Sequence, residues 1–441
     1  MTIAPSAERQ GDPGRQADPR PSPTPTAPTA VDEALALAQQ ASEAELLALG
    51  ERRLLGNYRQ APFVLERGEG CLLFDTEGRR YLDMAAGVAV SALGHGHPRL
   101  TATIAAQAGR LMHSSNYFYN RENLLLADEL CQKTGFDRAF FCNSGAEANE
   151  AMLKLARRYF FVQGQPDRYR VIAFHNAFHG RTLAAIALTG TPKYREGFGP
   201  PLPGVTHVAY GDVAAVRAAM GPDVAAILVE PVQGEGGVLP PPAGFLAELR
   251  RIADEHGALL LLDEVQTGIG RLGAWLGSSH DGVLGDAAAL AKGLGAGFPV
   301  GAMVLRERLN PALTPGTHGS TFGGNPLASA VARTVLAVIE EEGLLASVAE
   351  RGERLGRGLA AIAARRPAIC AGERGRGLLR GLILAQGIDA RAALNKIRER
   401  GVLLTIAGAN VLRFTPPLIA TDAHIDEALE SVEAALVETF G

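Results

Sequence analysis

Asp263 ends the run Leu259-Leu260-Leu261-Leu262, and Lys292 follows the run Ala287-Ala288-Ala289-Leu290-Ala291. A lysine amine can condense with an aldehyde, and a carboxylate can stabilise a protonated ring nitrogen. The chemistry that unites the two is that of pyridoxal phosphate, with Lys292 as the Schiff-base lysine and Asp263 on the pyridine nitrogen. Taken alone, the pair is more simply an ion pair at a sheet edge, since structural pairs also orient charge. Residues at the ends of the other apolar runs separate these readings.

After 139–142 comes Asn143-Ser144-Gly145-Ala146-Glu147, a small-residue turn opening a helix. Free N–H groups and the positive end of the helix dipole hold a phosphate there. The same turn also reads as an N-cap, with Ser144 capping and Glu147 completing a capping box. After 171–174 comes His175-Asn176-Ala177-Phe178-His179-Gly180-Arg181. The two histidines stand four apart as in zinc proteases, but Asn176 replaces the needed glutamate and Gly180 breaks the helix, so that reading is rejected. Phe178 suits stacking on a cofactor ring, and Arg181 suits a bidentate grip on a carboxylate. Glu230 and Glu235 follow 225–229, and Ser320-Thr321 in a glycine-rich loop offer hydroxyls to a phosphate or caps to a helix. Gly268-Ile269-Gly270-Arg271-Leu272-Gly273 spells a dinucleotide fingerprint but starts too far beyond the strand to make its tight turn. His95 and His97 lack a third ligand cluster, and no metal site is expected.

These residues need a scaffold that brings them to one edge. Four leucines between Gly257 and Asp263 suit a central strand, apolar on both faces. Seven such runs (139–142, 171–174, 207–209, 225–229, 259–262, 287–291 and 302–305) alternate mostly with helical patterns. The expected fold is α/β, a mostly parallel seven-stranded sheet between helices, whose strand ends carry the ligand site. The spacing from Asp263 to Lys292 leaves room for one helical crossover between parallel neighbours. Before this domain, 63–66, 71–75 and 81–83 predict a small antiparallel sheet and 99–112 a helix. After it, 378–384, 402–405 and 411–414 with a terminal helix predict the rest of a smaller α+β domain built from both chain ends. Residues 1–30 hold seven of the 26 prolines and no aromatic residue, predicting a disordered tail, and 31–55 predicts a helix. The expected division is a tail 1–30, a helix and part of the small domain 31–112, a large cofactor domain 113–345 and a C-terminal small domain 346–441.

Composition excludes several classes. Forty-three basic against 47 acidic residues give a net charge of −4, with basic doublets scattered, so no nucleic-acid footprint is expected. No apolar run approaches the ~20 residues of a spanning helix, and no membrane partner is expected. Four cysteines without a Cys-x-x-Cys pair and an N-terminus without an apolar signal predict a reduced cytoplasmic protein.

The chain from Tyr58 onward resembles the class III aminotransferases of the fold-type-I pyridoxal phosphate enzymes. The likeness rests on Asn-Ser-Gly-Ala-Glu-Ala-Asn-Glu (143–150), Phe-His-Gly-Arg (178–181), Glu-Pro-Val-Gln-Gly-Glu-Gly-Gly (230–237), Asp-Glu-Val-Gln (263–266), Ala-Lys-Gly-Leu-Gly (291–295), Gly-Ser-Thr-Phe-Gly-Gly-Asn-Pro (319–326) and Arg-Phe-Thr-Pro-Pro (413–417). The resemblance implies that Ser144, Gly145 and Ala146 hold the cofactor phosphate and Phe178 packs on its ring. Asp263, Glu264, Val265 and Gln266 would form the strand-end part of the cofactor site, with Asp263 on the ring nitrogen and Gln266 on the phenolic oxygen. Lys292 would be the covalent anchor and proton carrier, and Thr321, with Ser320 beside it, would reach the phosphate of a neighbouring subunit in a homodimer with shared sites. Arg181, Glu235, Ser320, Arg413, Val88 and Tyr58 form the implied substrate set. In ornithine-specific relatives a tyrosine stands at Val88, whose smaller side chain leaves room for an acyl group. The implied reaction passes the terminal amine of N2-acetyl-L-ornithine to 2-oxoglutarate. Ornithine, succinylornithine, succinyldiaminopimelate and 4-aminobutyrate remain alternative donors, and a decarboxylase or racemase on the same cofactor, or a noncatalytic binding protein, are alternatives of other classes.

Overall fold

Each of the seven apolar runs becomes a strand of one sheet. The computed structural model describes residues 41–441. The expected tail 1–30, and positions 31–40 of the expected helix, lie outside the described residues. Two compact units divide the chain, the first ending at Val64 and the second spanning Leu65–Gly441. In the first, the helix Glu43–Arg53 starts at a capping box: Ser42 Oγ accepts from Glu45 N–H, and Glu45 Oε2 accepts from Ser42 N–H at 2.9 Å.

In the second unit the strands, in chain order, are β1 (Leu65–Glu69), β2 (Leu72–Asp75), β3 (Arg80–Asp83), β4 (Arg138–Cys142), β5 (Arg170–Phe174), β6 (Val205–Val208), β7 (Val224–Val229), β8 (Leu259–Asp263), β9 (Ala287–Leu290), β10 (Gly301–Leu305), β11 (Cys370–Arg376), β12 (Leu379–Leu384), β13 (Val402–Leu403), β14 (Thr405–Ala407) and β15 (Val411–Phe414). The large sheet runs β4-β10-β9-β8-β7-β5-β6. Both faces are covered, and β7, β8, β9 and β10 are buried along their whole length.

Strand β10 runs antiparallel to both β9 and β4. Its cause is length: residues 291–300 are too few for the dozen or more that a parallel crossover needs. Two reversals restore direction, so β4, β5, β7, β8 and β9 all end at the same edge. The expectation for β8 and β9 as parallel neighbours holds, with Leu261 beside Ala287. Their connection, however, is not helical. Residues 264–286 carry six glycines, with Gly270 and Gly273 in the left-handed region, and form turns and the 3-10 segment Gly277–Asp281. The dinucleotide-like glycines lie in these turns and are followed by the short 3-10 segment, not by the α-helix whose N-terminus would meet a phosphate.

Two smaller four-stranded sheets flank this core in sequence. β1-β2-β3 is the antiparallel sheet expected near the start, shifted so that it begins at Leu65. It gains β13 from the far end of the chain, Val402 pairing with Leu82. The other is β11-β12-β15-β14. The expected strand at 402–405 is two, β13 and β14, in different sheets. His95 Nε2 hydrogen-bonds Asp83 Oδ2 at 2.8 Å, tying the loop after β3 together. Among the described residues, no helix is long and apolar enough to cross a membrane.

Candidate active site

The shared strand edge opens into a cleft of about 460 Å³. Asp263, the last residue of β8, turns its carboxylate into it and is fixed on three sides. Asn149 Nδ2 donates to Oδ2 at 2.8 Å, His179 Nδ1 meets the same oxygen at 2.7 Å, and Val265 N–H donates to Oδ1 at 3.0 Å. Neither His179 nor Asn149 is among the site residues expected from sequence. Asn149 lies one turn beyond Gly145 on the helix Gly145–Val162, on the face that looks back toward the cleft. That spacing was the available signal. His179 is 2 % exposed, and its Nε2 has no hydrogen-bond partner among the described residues.

Lys292 follows β9 with φ 43°, a conformation that costs a non-glycine residue about 1–3 kcal/mol. It lines the cleft. Loss of hydration pushes its ammonium down to about 8, although Glu235, Asp263 and Glu230 pull the other way. Glu230, just after β7, is buried, and its carboxyl sits well above the usual carboxylate range, first through burial and then through the charge of Asp263. Its Oε2 accepts from Phe178 N–H at 3.2 Å.

Ser144 caps the helix Gly145–Val162, its Oγ accepting from Glu147 N–H at 3.2 Å, while Glu147 Oε2 accepts from Asn143 N–H at 2.7 Å. The amides of Gly145 and Ala146 have no partner among the described residues and stand at the cleft. Glycine is required at 145, where a Cβ would lie 2.7 Å from Val265 Cγ1. Thus the turn is a helix cap that also leaves two free amides at the cleft.

Arg413 of β15 does not itself line the cleft; it is 2 % exposed and pairs with the cleft-lining Glu235 through Nη1 and Oε1. Its Nε donates to Thr405 Oγ1 at 3.0 Å, and Nη1 also reaches Gln266 Oε1 at 3.2 Å. Burial alone would raise the Glu235 carboxyl, but Arg413 and Lys292 outweigh it and hold it low. Gln266 Nε2 completes the cluster at 3.4 Å from Glu235 Oε1. Phe178 and Arg181 line the opposite wall, the Arg181 Cζ standing 5.3 Å from the Phe178 ring centroid.

Besides Arg413, four expected site residues of this unit, Glu264, Ser320, Thr321 and Val88, are not among those that line the cleft. Glu264 is buried behind Asp263, and its carboxylate accepts from Gly277 N–H at 2.8 Å, Ser278 N–H at 2.9 Å and Thr267 Oγ1. Adjacent residues on an extended strand end point to opposite faces, so Glu264 secures the turns after β8 rather than facing the cleft. Ser320 and Thr321 line a second hollow of about 730 Å³ with His113, Asn116 and His318. Val90 rather than Val88 lines the cleft wall, Val88 being 37 % exposed. Tyr58, also expected at the site, belongs to the first unit and is 76 % exposed.

A lysine with a lowered ammonium, a fixed carboxylate, a helix N-terminus and an arginine in one cleft, with a second arginine paired to the cleft-lining Glu235, can hold an anionic aromatic cofactor and a carboxylate substrate. Comparison with known proteins agrees. The family profile Aminotransferase class-III matches residues 56–436. Acetylornithine aminotransferase of Myxococcus xanthus is 48% identical over 402 residues, covering 91% of this chain and 100% of that protein. Among solved structures, ornithine aminotransferase from Toxoplasma gondii superposes with a TM-score of 0.89 at 35% identity, covering 93% of this chain and 98% of that one. N-acetylornithine aminotransferase from Stenotrophomonas maltophilia gives 0.77 at 38% identity, over 89% and 98%.

Proposed function

The chain belongs to the class III aminotransferases, which use pyridoxal 5′-phosphate, and on that premise we propose that it transfers the terminal amine of N2-acetyl-L-ornithine to 2-oxoglutarate. The products are N-acetylglutamate 5-semialdehyde and glutamate. One observation carries the reading. Glu235 masks Arg413, while Arg181 has no carboxylate within ion-pair distance among the described residues, so one carboxylate seat is open and the other is covered. An amine donor with a single carboxylate fits the first state, and a dicarboxylate fits a state with both arginines open.

The backbone of the Toxoplasma gondii ornithine enzyme superposes better than that of the Stenotrophomonas maltophilia acetylornithine enzyme. Backbone agreement averages over the whole fold and says little about one subsite, so we give more weight to the 48% identity with the Myxococcus xanthus protein.

The cofactor's demands fit the residues present. Gly145 lets the turn pack against Val265 where a Cβ would clash, the Gly145 and Ala146 amides stand at the cleft for a phosphate, and the Asp263 carboxylate is oriented for a protonated ring nitrogen. Phe178 would pack on the ring, Gln266 would meet its phenolic oxygen, and Lys292 would anchor its aldehyde. When bound, the cofactor supplies an electron sink that lets a proton leave the substrate carbon bearing the amine. Lys292 Nζ takes and returns that proton, a task its lowered ammonium suits. Asp263, held by Asn149 and His179, keeps its charge in one place. Arg181 orients the donor by its carboxylate.

The reading extends to a cytoplasmic homodimer in which Thr321, beside Ser320, completes the phosphate site of the neighbouring subunit. Exposed Tyr117, Phe118, Tyr119 and Phe322 support it, as large apolar side chains near the Thr321 hollow that a second subunit would cover. Initial rates with a panel of donors (N-acetylornithine, ornithine, succinylornithine, succinyldiaminopimelate and 4-aminobutyrate) against 2-oxoglutarate test the substrate. Higher kcat/KM for any donor but N-acetylornithine overturns it.

A further inference from the structure

Arg181 differs from Arg168 and Arg308, which lie on aromatic rings while their donors are spent elsewhere, and resembles Arg67 and Arg158 in resting on rings without an ion pair among the described residues. Arg168, 4.0 Å over Phe160, spends its donors on the carbonyls of Val224 and His256, and Arg308 over Tyr159 pairs with Asp286. Arg181 makes no hydrogen bond or ion pair among the described residues, and its charge rests on ring faces alone. Its Cζ stands 4.0 Å from the Tyr194 centroid and 5.3 Å from that of Phe178, and the two rings meet edge-on with centroids 5.9 Å apart. Both rings are anchored. Phe178 N–H donates to Glu230. Tyr194 closes the short 3-10 turn Pro192–Tyr194, and the next residue, Arg195, reaches His207 Nδ1 on β6 at 3.3 Å, tying that turn to the sheet.

We propose that Tyr194 is a positioning residue for carboxylate recognition: its ring seats the Arg181 guanidinium so that the N–H donors face an incoming carboxylate. This rests on the reading of Arg181 as the carboxylate clamp. A tyrosine face attracts a guanidinium within about 6 Å of its centroid. An arginine side chain otherwise loses much rotamer freedom when a ligand fixes it, and a ring that seats it beforehand removes that cost from binding. Tyr194 itself does not line the cleft, so it acts only through Arg181.

The test uses the holoenzyme with Tyr194→Leu, Tyr194→Gln and Tyr194→Phe, and Arg181→Leu as control. The readouts are glutarate binding by calorimetry and steady-state kinetics with N-acetylornithine. The Leu and Gln variants should weaken glutarate about fivefold to thirtyfold and raise KM to match, while Tyr194→Phe keeps the ring and stays within about twofold. kcat should hold, because the ring seats ground state and transition state alike. Unchanged binding in Leu and Gln, a Phe variant as weak as Leu, or kcat falling as far as kcat/KM overturns the proposal. If Arg181→Leu binds glutarate normally, the clamp reading itself falls. If only Arg181→Leu is impaired, the clamp stands and the role of Tyr194 does not.

Discussion

Two arginines stand in opposite situations, Arg181 open on the cleft and Arg413 buried against the cleft-lining Glu235, and the contrast sets what each substitution should do. Arg413 is buried and covered by Glu235, so removing either partner leaves a buried charge unpaired, at a cost of several kcal/mol. Arg413→Ala should damage the 2-oxoglutarate half-reaction far more than the acetylornithine half-reaction, and Glu235→Ala should shift preference toward dicarboxylates. Rapid-mixing measurement of each half-reaction checks this, and equal losses in both for Arg413→Ala count against a switch. Lys292 offers a pH test that needs no cofactor. Its amine is uncharged above about 8 instead of the ordinary 10.5, so labelling of Lys292 in the cofactor-free protein should rise with pH to half its maximum near 8. The folded pKa is the lower one. The unfolded chain therefore binds the proton more tightly across this window, and the contribution to stability grows as pH rises from 8 to 10.5. Labelling that climbs only near the ordinary lysine value would place the amine in water. Asp263 and Lys292 could be read from the sequence because each breaks an apolar run with a charge. His179 could not, since nothing in its spacing distinguishes a histidine fixing a carboxylate from one in a loop.

Elements place these side chains, and some were more legible than others. Central strands such as β8 announce themselves, because a strand buried on both faces must be apolar at every position. β11 does not: Cys-Ala-Gly-Glu-Arg-Gly-Arg is an edge strand with few apolar residues, held by its pairing with β12. The antiparallel β10 and the turns between β8 and β9 depend on chain length and glycine placement, which periodicity does not report. Those turns rest on Glu264, whose carboxylate binds Gly277 N–H, Ser278 N–H and the Thr267 hydroxyl. Glu264→Ala strands these buried donors, each costing about 1–3 kcal/mol, so stability should fall by about 3 kcal/mol or more. Hydrogen exchange should show the amides of 277 and 278 losing protection, while cofactor affinity changes less than in Asp263→Ala. The reverse order would restore Glu264 to the cofactor site.

At the scale of the whole molecule, one chain builds a cleft lined by Lys292, Asp263 and Arg181, while Ser320 and Thr321 line another hollow, Ser320 Oγ accepting from the cleft-lining Asn143 Nδ2 at 3.4 Å. On the proposed reading, the N-terminal amides of one helix would hold the phosphate without Thr321 within a single chain. A second subunit contributing Thr321 would add a hydroxyl donor and cover exposed aromatic residues that would otherwise face water. Two-fold symmetry makes this contribution reciprocal, each subunit lending its loop to the other. Consider a chain bearing Lys292→Ala mixed with one bearing Thr321→Asp, whose charge repels a phosphate. In the heterodimer, one site combines both lesions and the other combines the intact Lys292 of one subunit with the intact Thr321 of its partner. Random exchange of equal amounts makes half the dimers mixed, so activity should return to about a quarter of the wild-type level. Mass spectrometry verifies the exchange. If heterodimers form and activity stays at the level of the separate variants, each site is built from one chain, and Thr321 has no part in its neighbour's chemistry.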